Sequence, residues 1–155
     1  MKKRLLSIIL TFCMMFALAP AALLADESAA VQVDSASAKI GETVNIPVKL
    51  TSNPGIAAVT FEILYDEDLL TLKSIEKGSV FSSGNFSSDV AAKGVFWFNM
   101  EANSTALGEM FSLEFEVVGS GSTEVAVQLV GGEESNCVDL EGVTVPITFK
   151  AGTVT

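Results

Sequence analysis

The chain has 155 residues, with nine basic against 19 acidic side chains, no histidine and a formal net charge of −10 at pH 7. A surface this acidic repels nucleic acid and anionic lipid, which argues against both as partners. Without histidine the chain cannot form a Ser-His-Asp or Cys-His nucleophile system, and it lacks a common zinc ligand. We therefore expect no catalytic residues, no metal site and no enzyme activity.

The first 25 residues have the pattern of a signal peptide. Basic residues 2–4 precede an apolar run from Leu5 to Leu18, and small residues follow up to Ala25. The run is shorter than the roughly 20 residues that span a bilayer. We expect cleavage after Ala25, with Ala21 as the alternative, and a secreted protein without membrane insertion.

The mature chain, 26–155, is predicted to be a single domain. It keeps all 19 acidic residues but only six of the nine basic ones. Its one cysteine, Cys137, cannot form an intrachain disulfide. About 130 residues suffice for a hydrophobic core without cross-links, and we expect a monomer when the chain is free.

Short segments of alternating hydrophobicity follow one another along the mature chain. Residues 44–50 alternate around Pro47, which suggests an edge strand or a bulge. Residues 59–65 alternate next, placing Tyr65 on the core side, and the acidic turn 66–68 ends that strand. A serine- and glycine-rich stretch, 82–92, predicts a short strand between loops.

The second half of the chain repeats this pattern. Strands are predicted over 94–101, around 111–116, over 125–129 and over 143–149, and no helix of ten or more residues is expected. Eight or nine short strands separated by turns are typical of an all-β, antiparallel sandwich or jelly roll.

The aromatic strand over 94–101 has two possible phases. We predict that Trp97 lies on the outer face with the polar residues Asn99 and Glu101, because this is the more polar face. A register shift of one residue would exchange the faces and expose Phe96 and Phe98 instead.

The acidic residues and the cysteine have unremarkable structural interpretations. Glu62, Glu114 and Glu116 alternate along strands, which favours a solvated face over paired catalytic carboxylates. The acidic segment 66–68 is interpreted as a turn that ends a strand, and the segment around Glu133 as a solvated loop. Calcium ligation is the second interpretation of both. Cys137 has no basic neighbour in the sequence and is predicted to be an inert buried thiol.

Four stretches, taken in order, resemble the cohesin modules of cellulosomes. Ile40 to Val48 is similar to an early strand of that family, and Gly55 to Asp66 with the following Leu69-Leu70 is similar to its "GI…YD…L" segment. Gly108 to Val117 and the Val130-Gly-Gly132 turn match later parts of the pattern. The resemblance implies a nine-stranded jelly-roll sandwich.

The resemblance also implies a binding face and a partner. Strands 8, 3, 6 and 5 would form a flat face for a dockerin module, and calcium would reside on the dockerin rather than on this chain. The implied contacts on the third strand are Ala58 and Thr60, where well-studied cohesins often have Asn and Asp, with Glu62 farther along. The sixth strand would add the outer-face residues Trp97, Asn99 and Glu101.

The predicted function is to recruit dockerin-containing proteins, such as glycoside hydrolases that degrade plant polysaccharides, into a cellulosome-type complex. Two alternatives remain open. One is a carbohydrate-binding module with the same jelly-roll fold, which would need exposed aromatic rings or a calcium site. The other is a structural module of the adhesin type.

Overall fold

The computed structural model describes residues 28–155; the predicted signal peptide, 1–25, lies outside the described residues. Eleven strands run through these residues. In chain order they are β1 (Ala29–Val33), β2 (Thr43–Ser52), β3 (Ala58–Leu64), β4 (Leu70–Lys77), β5 (Asn85–Asp89), β6 (Gly94–Phe98), β7 (Gly108–Val117), β8 (Thr123–Leu129), β9 (Cys137–Val138), β10 (Ile147–Lys150) and β11 (Gly152–Val154).

The strands form two sheets. The first has the order β10-β1-β2-β7-β4 and the second β11-β8-β3-β6-β5, with β9 added beside β3. Neighbouring strands are antiparallel except for the parallel pair of β1 and β10. The predicted all-β jelly-roll sandwich is confirmed, and the count exceeds nine because two- and three-residue strands such as β9 and β11 are included.

Alternation along each strand supplies the core. In β3, β7 and β8 the apolar residues of alternate positions are buried between the sheets. Aromatic contacts join the layers: the rings of Phe61 and Phe111 lie 5.9 Å apart, and Tyr65 meets Phe115 edge to face at 4.9 Å. The predicted core side of Tyr65 is therefore correct.

Pro47 does not lie on an edge strand. It sits in β2, between β1 and β7, where its carbonyl accepts a hydrogen bond from the Asp34 N–H. The register between β2 and β7 shifts just after it, between Val48 and Lys49. The edge interpretation is wrong, and the irregularity that Pro47 suggested is this neighbouring bulge.

The connections are turns and loops. The acidic turn after β3 is closed by Asp66, whose side chain accepts the Asp68 N–H at 2.9 Å. Helical structure within residues 28–155 consists of two short 3₁₀ turns, Val130–Gly132 and Glu134–Asn136. No helix in this part of the chain is long and apolar enough to cross a membrane.

Candidate functional site

The outer faces of the two sheets differ sharply in chemistry. The first sheet presents polar and charged side chains that pair with one another. Lys73 contacts Glu116 at 3.1 Å, the Ser74 hydroxyl donates to Glu114 at 3.1 Å, and Lys49 pairs with Asp34. A face on which several charged groups are paired in this way has the character of an ordinary solvated surface.

The outer face of the second sheet is more apolar than that of the first. Cross-strand pairing places Thr60 opposite Phe96, and Phe96 opposite Ser87, so one row of this face runs from β3 through β6 to β5. The next row along the strands joins Ala58, Phe98 and Asn85 in the same way. We call this surface the outer face of the second sheet; it is formed by Ala58, Thr60, Glu62, Asn85, Ser87, Asp89, Gly94, Phe96, Phe98, Ala126 and Gln128.

The predicted orientation of β6 is wrong. Trp97 is fully buried, its ring stacks on Phe81 with centroids 4.7 Å apart, and its indole N–H donates to the Ser83 carbonyl at 2.8 Å. Phe96, predicted to be core, is 41% exposed. Burying Trp97 removes a larger apolar surface from water than burying a phenylalanine would, and the Ser83 carbonyl satisfies its one donor.

Asn99 and Glu101 do not lie on the outer face of β6, where they were predicted. β6 ends at Phe98, and both residues lie in the loop that follows, where the Asn99 side chain accepts the Glu101 N–H at 2.9 Å. The Asn99 N–H donates to the Ala57 carbonyl, which fixes the start of this loop. The polar character of these residues reflects a loop, so it carries no information about the outer face of β6.

The residues that β6 does present outward are Phe96 and Phe98. Their ring centroids lie 5.3 Å apart at an interplanar angle of 32°. Phe96 is exposed and Phe98 is half-buried. An aromatic pair held on a rigid strand and accessible from solvent is typical of a protein-interface anchor. The one-residue register shift, considered above as the alternative, thus describes the structure.

Of the residues predicted on the third strand, Ala58, Thr60 and Glu62 all point to this outer face, each half-buried. The Glu62 carboxylate is held in place by its neighbours: Oε1 accepts hydrogen bonds from the Gln128 side chain at 2.6 Å and from the Gly131 N–H at 3.2 Å. The structure therefore brings these three residues together with Phe96 and Phe98.

The second sheet also lacks positive charge. Its strands contain no lysine or arginine among the described residues, whereas the first sheet has several lysines. They are Lys49 in β2, Lys73 and Lys77 in β4, and Lys150 in β10. The outer face of the second sheet therefore combines the Phe96–Phe98 pair with acidic side chains, and its strands contribute no basic ones.

In the described residues, the possible metal ligands do not meet the requirements for metal binding, and the cysteine does not meet those for thiol reactivity. Within residues 28–155, no group of three or more His, Cys, Asp or Glu side chains is placed to hold a metal ion. Cys137 is buried between the sheets, and burial raises the pKa of its thiol from 9.0 to about 12. This matches the inert thiol predicted from the sequence.

Comparison with known proteins supports one family. The cohesin domain model matches residues 29–154. Cellulose-binding protein A of Clostridium cellulovorans is 30% identical over 123 residues, which are 79% of this chain but 5% of that protein's length.

Solved cohesin structures share the fold. The non-cellulosomal cohesin of the archaeon Archaeoglobus fulgidus superposes with a TM-score of 0.66 at 20% identity, covering 83% of this chain and 91% of that one. The Coh-OlpC–Doc435 complex of Clostridium thermocellum gives a TM-score of 0.65 at 23% identity, covering 86% and 96%. The order β8-β3-β6-β5 that the resemblance implied is present in this structure. The chain therefore belongs to the cohesin domain family, whose members are binding modules and not enzymes.

Proposed function

We propose that this chain is a secreted module that binds dockerin-containing proteins on the outer face of its second sheet. The observation that carries the proposal is the aromatic pair of exposed Phe96 and half-buried Phe98 on the strand between β3 and β5. A sheet provides a rigid platform that loses little conformational entropy on binding, and aromatic anchors supply most of the affinity in such interfaces.

The surrounding residues support a helical partner with an apolar side. Ala58 and Thr60 border the aromatic pair and are small, so they allow a helix backbone to approach the sheet closely. Successive outward residues of a strand are about 7 Å apart, and residues four positions apart on a helix are separated by a rise of about 6 Å. A docking helix with apolar residues four positions apart would therefore meet Phe96 and Phe98 together.

The family relatives suggest which partners to test. The structure with Doc435 is a cohesin–dockerin complex, and a cohesin of Acetivibrio cellulolyticus scaffoldin B was solved with a Cel5 dockerin mutant. The curated relative is named a cellulose-binding protein. We infer that the partners of this chain are dockerin-bearing enzymes of polysaccharide breakdown, assembled outside the cell.

Calorimetric titration of the secreted chain with a panel of dockerins, including Doc435, tests this proposal. We expect micromolar or tighter binding to at least one dockerin, lost when a chelator removes the calcium that we assign to the dockerin. Absence of heat with every dockerin of the panel, including those of the source organism, would overturn the proposal.

Carbohydrate binding is the alternative that the exposed rings raise. The Phe96 and Phe98 rings are tilted by 32° and do not form one flat platform on which neighbouring sugars could stack. Co-sedimentation with cellulose distinguishes the two functions, since we expect the chain to stay in the supernatant.

A further inference from the structure

A recess opens in the outer face of the second sheet beside Phe96. One cross-strand row pairs Glu62 of β3 with Gly94 of β6, and Gly94 with Asp89 of β5. Because the middle residue has no side chain, the row has a carboxylate on either side and a gap between them. With strands about 4.8 Å apart, the Cα atoms of Glu62 and Asp89 are separated by about 10 Å.

The recess has an apolar wall as well as charged sides. Its volume is about 360 Å³, and its lining includes Phe96, Val130, Thr60 and Ala92 in addition to the three residues of the row. A Cβ built on Gly94 would meet no atom closer than 3.9 Å, so the space above the glycine is open. It is large enough for one long side chain.

Both carboxylates keep an oxygen for an incoming donor. The hydrogen bonds to Glu62 from within residues 28–155 fall on Oε1, and that to Asp89, from the Ala92 N–H, falls on Oδ1. The nearest lysine in the sequence, Lys93, pairs instead with Glu67 and lies 5.1 Å from the centre of the Tyr65 ring. The recess therefore has negative charge that the neighbouring lysine does not neutralise.

We propose that this recess receives a lysine or arginine side chain from the docking helix of the partner. Its methylene groups would pack on Phe96 and Val130, and its charged head would lie between Glu62 and Asp89. Such side chains commonly bury their stems along apolar surface in this way. The inference builds on the proposed function, because it states what the dockerin must carry.

The position of the recess sets the spacing in the partner. Phe98, Phe96 and Gly94 follow one another along β6 on the same face, each step about 7 Å. A helix aligned with β6 would place its apolar residues over the first two positions and its cation about one turn further, over the third. The predicted docking helix thus has two apolar residues and one basic residue at successive turns.

A small probe tests the recess without any dockerin. N-acetyl-arginine methylamide is titrated into the ¹⁵N-labelled secreted chain, and N-acetyl-norleucine methylamide serves as the uncharged control. We expect saturable shifts of the Gly94, Glu62 and Asp89 amide signals with a Kd on the order of millimolar, and none with norleucine. No arginine-dependent shift at these amides would overturn the proposal.

Two sets of variants test separately the negative charge of the recess and its open volume. Glu62→Gln with Asp89→Asn removes both charges and keeps the Oε1 and Oδ1 acceptors. Gly94→Val fills the recess, and its Cβ meets open space, so the strand should remain folded. The control for charge is Glu114→Gln with Glu116→Gln on the outer face of the first sheet. We expect both recess variants to abolish the arginine shifts and the control to preserve them, with thermal unfolding recorded for each protein.

The same variants are then titrated with whichever dockerin binds in the calorimetric panel. We expect each recess variant to weaken binding roughly tenfold, which is about 1.4 kcal/mol, while the control changes it little. A dockerin that binds the wild type and all variants equally would overturn the recess proposal and leave the proposed function intact. A different outcome is that no dockerin binds, while arginine shifts the amide signals of the wild type and not those of the recess variants. The proposed function then fails, and the cation site is supported.

Discussion

Trp97 and Phe96 are neighbours in the sequence with opposite roles. Trp97 stacks on Phe81 in the core and gives its N–H to a backbone carbonyl, whereas Phe96 contacts Phe98 on the surface. A substitution at one position should therefore change folding and at the other binding.

Replacing Trp97 with alanine should cost about 3–5 kcal/mol of unfolding free energy, because it leaves a cavity and an unpaired Ser83 carbonyl. Phe96→Ala, on the exposed side, should change stability by less than about 1 kcal/mol. Urea denaturation of the two variants and the wild type measures both. Equal losses would mean that Phe96, too, contributes to the core.

The buried thiol of Cys137 should make the stability of the domain depend on pH in the alkaline range. The unfolded thiol has a pKa of 9.0 and the folded one about 12, so above pH 9 the unfolded chain releases a proton that the folded chain retains. This contribution is fully present below pH 9 and is lost as the pH rises toward 12. Stability should fall more steeply with pH in the wild type than in Cys137→Ala, as measured by urea denaturation from pH 8 to 11. Parallel pH profiles would contradict the burial of the thiol.

At the scale of elements, β6 shows why the sequence could not settle the candidate site. Val95, Phe96, Trp97 and Phe98 are all apolar, so alternation gives no phase inside the strand. The polar residues that follow the strand, Asn99 and Glu101, suggested which face points outward, but they belong to the loop. β3 is simpler: Val59, Phe61 and Ile63 recur at every second position. The sequence therefore predicts that Ala58, Thr60 and Glu62 share the opposite face, as the structure shows.

β11 depends on a close backbone approach at Gly152. A Cβ there would lie 2.2 Å from the Asp34 carbonyl oxygen, and backbone cannot move aside as a side chain can. We expect Gly152→Ala to destabilise the domain by about 1–3 kcal/mol. Gly94→Ala, at a glycine whose Cβ would be free of contacts, is the matched control and should change stability by less than about 1 kcal/mol. Thermal unfolding compares them, and an unaffected Gly152→Ala variant would show that β11 can shift.

At the scale of the whole molecule, charge and apolar surface are unevenly distributed. The lysines of the strands lie in the first sheet, and the outer face of the second sheet keeps its exposed rings and uncompensated carboxylates. This asymmetry distinguishes the two faces of a sandwich whose strands are otherwise similar. We therefore expect association of this chain with a dockerin to depend on salt.

We expect the association rate with a dockerin carrying a basic docking helix to fall as ionic strength rises from 50 to 500 mM. Screening removes the long-range attraction, while contacts at the aromatic pair, which govern dissociation, are little affected. Stopped-flow or surface-plasmon measurements provide both rates. An association rate that stays constant or increases with salt would contradict electrostatic steering by this face.

The overall fold was more predictable than the surface. Two-residue alternation in β2, β3, β7 and β8 fixes which side chains enter the core, and turn residues such as Asp66 separate the strands. The position of Pro47 in an inner strand could not be read from its own sequence, because it depends on where β1 pairs. The exposed aromatic pair likewise depends on the partners of β6.

The central claim is that the outer face of the second sheet, centred on Phe96, binds the dockerin. The most direct measurement is the calorimetric Kd of a binding dockerin for the wild type, for Phe96→Ser and for a control, Thr71→Ala, on the exposed surface of the first sheet. We predict that Phe96→Ser weakens binding at least about thirtyfold, a loss of about 2 kcal/mol typical of an interface hot spot, with unchanged thermal stability and an unaffected control. A Phe96→Ser protein that is folded and binds as tightly as the wild type would contradict the account.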